Sequence, residues 1–272
     1  MSIRSVLSVV RVERAKLGAQ LTARAVLAAC VAGPFAFVAA MRLQSAVPED
    51  TLFGRSVRES GFATPLIVLG FAALWAFPAL TSVVGGDLFS AEDRYGTWTT
   101  VLTRSRSRAE VFAGKVLTAF GFSVLAVVAL AASSLVAGVL VVGHQPLVDL
   151  SGALVPSGQV LGRVALAWAS VLPPAFGFTA LAVLLSVATR SSAAGIGLPV
   201  IVGLVMQLYA YVDGPEAIRR LLITSSFGAW HGLLTEHPYY RPLIHGTVVS
   251  TAYFVICLVV AYRILRRRDI GV

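Results

Sequence analysis

Residues 86–115 read GDLFSAEDRYGTWTTVLTRSRSRAEVFAGK and lie between two long uncharged stretches. The segment carries five basic residues (Arg94, Arg104, Arg106, Arg108, Lys115) and four acidic ones (Asp87, Glu92, Asp93, Glu110). On its two sides, residues 61–84 and 116–142 contain no Asp, Glu, Lys or Arg. About 20 apolar residues cross a bilayer as a helix. A dense polar hairpin between two such runs is the pattern of a loop joining two membrane spans.

The composition agrees. The chain has 272 residues, 57% hydrophobic and 13% charged, with a mean hydropathy of +0.82. A soluble domain carries about 25% charged residues, so this chain lacks the charge to cover a water-facing surface. The net charge of +9 does not point to nucleic acid, because no basic stretch is interleaved with base-stacking aromatics. Loops on the inner side of membrane proteins accumulate Lys and Arg, which accounts for the charge. Cys30 and Cys257 both fall in apolar stretches without metal-ligand company, and read as small packed hydrophobes.

Six spans are expected, at about 25–41, 61–84, 116–142, 164–188, 193–212 and 246–262, forming one transmembrane domain over 1–272. Residues 1–24 hold Arg4, Arg11, Arg14, Lys16 and Arg24. A charged leader that long is unusual for a signal peptide, so the first apolar segment is read as a retained span. Ahead of it, Ile3, Val6, Leu7, Val10, Leu17 and Leu21 recur at helical spacing between arginines. This predicts an amphipathic helix in the interface, its basic residues toward anionic lipid headgroups; a solvated helical tail is the alternative. Pro78 and the pair Pro173-Pro174 are expected to kink or break spans two and four. Residues 213–245 form the longest loop. Within it Ile218, Leu221, Leu222, Ile223, Phe227, Trp230, Leu233 and Leu234 make a segment too apolar for water and too short to span, and a partly re-entrant excursion is expected.

Charge counting sets the orientation. With the N-terminus inside, 15 of the 22 Lys and Arg fall on inner segments, against six of the 13 acidic residues. The inner side carries +9 and the outer side none, as the positive-inside rule requires. Both termini are then cytoplasmic, and the 86–115 hairpin with them.

The absences narrow the chemistry. Spans two to five hold no ionisable residue away from their ends, whereas an ion-coupled carrier needs a coordinating or titratable group near mid-membrane. His231, Glu236 and His237 in the outer loop match no metal-ligand spacing. The one Gly-Lys pair, Gly114-Lys115, has Ala109 and Val116 where a phosphate loop needs Gly and Ser/Thr. No nucleotide or metal cofactor is expected on this chain. A transport path without ion site or ATPase is passive or borrows its driving force. The hairpin is where borrowing is expected: Tyr95 and Trp98 stand among charges, as at protein interfaces. Gly96 interrupts a short helix, and Ser107-x-x-Glu110 has capping-box spacing.

At this hairpin the sequence resembles the ABC-2-type transporter permeases. The residues that carry the resemblance are Glu92-Asp93-Arg94-Tyr95-Gly96-Thr97, then Leu102-Thr103-Arg104-Ser105-Arg106-Ser107-Arg108, then Gly114-Lys115. Ser105 departs from the proline often found there. The tail Tyr262-Arg263-Ile264-Leu265-Arg266-Arg267-Arg268-Asp269 is also similar. The resemblance implies an all-α permease working as a dimer with itself or a sister permease. It implies a separate ATP-binding subunit that carries the ATP and Mg, and export out of a bacterial inner membrane. It also implies that the loop between spans two and three holds the coupling helix. Glu92, Asp93, Arg94, Tyr95, Gly96, Thr97 and Trp98 would form or flank that helix, joined by Arg104, Arg106 and Arg108. Thr189 to Ser192, with Arg190, would be a second contact. The rival reading is an ATPase-independent carrier or membrane-embedded enzyme using His231, Glu236 and His237.

Overall fold

A computed structural model of the chain describes residues 2–44, 51–98, 107–212 and 214–268. Six helical stretches among them are long and apolar enough to cross a membrane: Leu21–Leu43, Ala63–Asp87, Arg108–Val141, Ser157–Thr189, Ser192–Tyr209 and Arg241–Arg267. Their number matches the six expected, and several of the helices run longer than the apolar stretches themselves. The third begins at Arg108 because the capping box forms. Ser107 Oγ accepts from the Glu110 N–H at 3.2 Å, and Glu110 Oε2 accepts from the Ser107 N–H at 3.1 Å. Two otherwise unpaired donors are satisfied, and the helix starts well ahead of its apolar part.

In chain order the elements are α1 (Ile3–Ala19), α2 (Leu21–Leu43), α3 (Ala63–Phe71), α4 (Phe77–Asp87), α5 (Ser90–Arg94) and α6 (Arg108–Val141). They continue with α7 (Ser157–Ser170), α8 (Leu172–Thr189), α9 (Ser192–Tyr209), α10 (Glu216–Leu221), α11 (Ile223–Ser226) and α12 (Arg241–Arg267). The described sheet is a two-stranded antiparallel hairpin, β1 (Leu147–Val148) with β2 (Leu154–Val155), in register Leu147 to Val155.

Both proline expectations have structural counterparts. Span two is interrupted by a π-turn, Ala72–Ala76, and Pro78 falls in the first turn of the helix that follows. Proline has no N–H to donate there, and the wider turn absorbs the register change. The amide of Gln207 on α9 reaches the carbonyls of Ala73 (3.5 Å) and Leu74 (3.4 Å). Span four breaks at Val171, placing Pro173 in the first turn of α8, where its missing donor costs nothing.

The core is built mainly from spans two, three and four. Phe77, Phe178 and Phe227 form a ring stack, with centroids 5.5 Å and 5.9 Å from Phe227. Phe227 belongs to the segment between spans five and six. Ile223, Phe227, Trp230, Leu233 and Leu234 of that segment are buried, while α10 has no buried residue. Half of the loop therefore packs into the bundle and half stays outside.

Glycines set the closest helix approaches. A Cβ on Gly86 of α4 would lie 2.4 Å from the Gly195 carbonyl carbon of α9, and one on Gly114 of α6 would lie 2.5 Å from Val9 of α1. Small residues permit such backbone proximity in lipid.

The N-terminal segment is helical over α1, but its buried stripe is not the one hydrophobicity indicates. Val6, Val9, Glu13 and Leu17 face the bundle, whereas Ile3 is 78% exposed and Leu7 58%. A glutamate in the packed stripe leads to the site.

Candidate functional site

Four charged side chains from three elements meet at the end of the bundle that holds Ser2 and Arg268. Lys115 is eight residues into α6 and 1% exposed. Its Nζ donates to Glu92 Oε1 and to the Leu88 carbonyl, both at 2.8 Å, and lies 3.1 Å from Glu13 Oε1. Lys16 of α1 mirrors it, with Nζ 2.8 Å from the same Glu92 oxygen and 3.1 Å from the same Glu13 oxygen. Two carboxylates and two ammonium groups thus alternate around a closed, neutral ring. Ring neutrality and the added carbonyl acceptor are what make buried charge tolerable.

Glu92 holds the ring to α5. Burial alone would raise its carboxyl, but the Lys115 ammonium, the Lys16 ammonium and the Thr97 hydroxyl outweigh that and hold it at about 2. Thr97 donates to Glu92 Oε2, and its N–H to the Glu92 carbonyl at 3.0 Å. For Lys16, burial would lower the ammonium; its two carboxylate partners prevail and raise it above the ordinary lysine value.

The rest of α5 is pinned on its other side. The Ser90 N–H donates to Ser186 Oγ of α8 at 3.0 Å, and Ser90 Oγ lies 2.9 Å from Ser192 Oγ of α9. Ser192 Oγ donates to Asp87 at 2.6 Å, and Gln20 reaches the other Asp87 oxygen at 3.3 Å. Asp93 receives both guanidinium nitrogens of Arg268, one at 3.0 Å. Arg108 donates from one nitrogen to the carbonyls of Leu265 (3.2 Å), Arg266 (2.9 Å) and Arg268 (2.7 Å), closing the C-terminus of α12. A five-residue helix is thereby tied to α1, α6, α8 and α9 and to Arg268, the residue that ends α12.

Among the described residues, the expected site residues of the hairpin fall into two groups. Glu92 and Trp98 are buried, Trp98 against Phe89 with ring centroids 6.4 Å apart; Thr97 and Asp93 are committed to internal partners. Arg94, Tyr95 and Gly96 face outward. Tyr95 is 69% exposed under the Arg94 guanidinium, 4.8 Å from its ring, and Gly96 adopts φ +62°. Arg190 is exposed at the end of α8 in the left-handed region, φ 58°. Arg108 is structural, and Arg104 and Arg106 lie outside the described residues.

Three members of the ring escaped sequence reading. Lys115 read as the basic end of the hairpin and Lys16 as one of the basic residues of an interfacial helix, while Glu13 stood out in neither pattern. The available signal was Glu13 at i, i+4 from Val9 and Leu17, inside the apolar stripe.

The histidines of the rival reading do not assemble. His231 is partly buried against the Trp230 ring, 4.2 Å between centroids, and burial lowers its pKa, whereas Glu236 and His237 are exposed. Among the described residues no three of His, Cys, Asp and Glu gather as a metal site.

Six apolar helical spans, with charge concentrated at one end, define a multi-pass α-helical membrane protein. The pattern of ABC-2 family transporter proteins matches residues 9–206, which is most of the chain, and the chain belongs to that family. It is accordingly the membrane-embedded permease of an ABC transporter. The matched stretch contains all four members of the ion ring, and Arg268 lies beyond it. No curated protein matches the chain.

Proposed function

We propose that this permease draws its driving force from a separate ATP-binding subunit docked on the outward face of α5, and that it works in an exporter as a paired permease. The carrying observation is the two-sidedness of α5. Its inner face is locked to four helices and to Arg268 by Glu92, Ser90 and Asp93. Its outer side offers the exposed Arg94 and Tyr95, engaged with each other and, through Arg94, with Asp87 at 3.3 Å, beside the turn at Gly96. A lever needs both a free surface to be pushed and a rigid attachment to what moves. The exposed Arg190 turn lies on the helices to which Ser90 is bonded, so it extends the same surface. The end with both termini faces the cytoplasm, on the strength of the Lys and Arg excess there.

The spans least buried by their own chain are Leu21–Leu43 and Ser192–Tyr209, and these are the faces left for lipid or for a second permease. ATP and Mg belong to the partner. The buried side chains of spans two and four carry no charge, which fits a hydrophobic or amphipathic substrate.

The test is a pull-down of the tagged chain from detergent followed by an ATPase assay, wild type against Arg94→Ala/Tyr95→Ala. ATPase activity that accompanies the wild type and is lost or uncoupled in the variant supports the reading. Transport that proceeds without any ATPase ends it.

A further inference from the structure

At the same end of the bundle, α1, α2 and α6 enclose an open groove of about 540 Å³. Leu27, Leu117, Gly121 and Leu125 are among the residues that line it, and Leu117 and Leu125 are about half exposed. Arg14 of α1 and Arg24 of α2 also line it. No acidic residue does: Glu13, next in sequence to Arg14, is engaged by Lys115 and Lys16 in the ion ring. Neither arginine has an acidic partner among the described residues. Arg24 Nε donates to the Gly18 carbonyl at 2.6 Å, which fixes the stem and leaves the terminal nitrogens of the guanidinium to another acceptor.

We propose that this groove is a binding site for one anionic phospholipid. Its acyl chains lie on α6 along Leu117, Gly121 and Leu125, and its phosphate sits between Arg14 and Arg24. The charge complementarity selects the headgroup, because guanidinium groups pair with phosphate oxygens in a fork geometry. The apolar floor, open toward the lipid-facing side of α6, selects the diacyl tail over a soluble phosphate. The volume lies within the ~300–1,000 Å³ usual for ligand sites. A lipid held here bridges α1, which carries two members of the ion ring, to two membrane spans. The proposal does not depend on an ATPase docking at α5.

Gly121 offers a clean test, since a Cβ built there meets nothing within 4 Å. Gly121→Leu therefore fills the groove while keeping both arginines and gaining helix propensity. Native mass spectrometry of the full-length protein in detergent, titrated with phosphatidylglycerol, phosphatidylcholine and glycerol 1-phosphate, gives the affinities. Phosphatidylglycerol is expected to bind most tightly, and to lose about tenfold or more in both Arg14→Ala/Arg24→Ala and Gly121→Leu. Arg4→Ala/Arg11→Ala removes the same charge from α1 without touching the groove, and should stay within about twofold of wild type. Equal losses in the two double-arginine variants would mean diffuse attraction and overturn the site. So would phosphatidylcholine binding as well as phosphatidylglycerol, full competition by glycerol 1-phosphate, or unchanged affinity in Gly121→Leu.

Discussion

The Lys115 ammonium and the Glu92 carboxylate meet at 2.8 Å across a sequence separation of 23 residues, both almost wholly buried. This contact joins the short helix at the end of span two to the body of span three. Glu13 and Lys16 close it into a ring that takes in the N-terminal helix.

Removing one charge from that ring leaves another uncompensated. Lys115→Met is expected to destabilise the protein by about 3–5 kcal/mol, the usual cost of breaking a buried pair. Lys115→Met/Glu92→Gln should recover part of the loss, since the orphaned carboxylate is gone. Thermal unfolding in detergent of the two singles and the double measures the coupling.

The ring also predicts an acid limb. Glu92 is held at about 2, below its ordinary value of 4.5. A depressed carboxyl contributes stability that is complete above the unfolded value and lost as pH falls toward the folded one. The unfolding midpoint of wild type should decline between about pH 4.5 and 2, and Glu92→Gln should lack that part of the decline. At the alkaline side, the raised Lys16 ammonium contributes stability present below about 10.5 and lost as pH rises past it.

The exposed face of α5 should respond differently. Arg94→Ala/Tyr95→Ala removes two exposed side chains and one half-exposed ion pair with Asp87, and stability should change by within about 0.5 kcal/mol per site. If docking occurs there, partner ATPase binding or coupling falls while the unfolding midpoint holds. Gly96→Ala forces a Cβ into φ +62° and is expected to cost about 1–2 kcal/mol at the turn, read out as faster hydrogen exchange over Arg94 to Trp98.

The Gly86–Gly195 crossing separates close-packed from open glycines. Gly86→Ala puts a methyl 2.4 Å from backbone of the facing helix, which only helix displacement relieves, at about 1–3 kcal/mol. Gly70→Ala meets nothing within 4 Å and should be neutral or slightly stabilising through helix propensity. Side-by-side melting curves of the two variants check both.

The long apolar runs, the hairpin between spans two and three, the helix start at Ser107 and the breaks near Pro78 and Pro173 were all legible from the chain. Each follows from local rules: apolar length, capping geometry, and a proline without a donor. The face on which α1 would pack was not legible, because Ile3 and Leu7 are as hydrophobic as Val6 and Val9 and periodicity alone does not rank them. The ion ring was not legible either. Glu13, Glu92 and Lys115 become neighbours only when Gly114 lets α1 lie close on α6, and when Ser90 and Asp93 fix α5 above them. The sequence by itself determined that the chain crosses a membrane six times and where its charge collects. Tertiary structure decided which of those charges are buried as fasteners and which remain outside to be met. Charge pairing over such separations depends on how helices pack, and helix packing is a property of shape rather than of any local pattern.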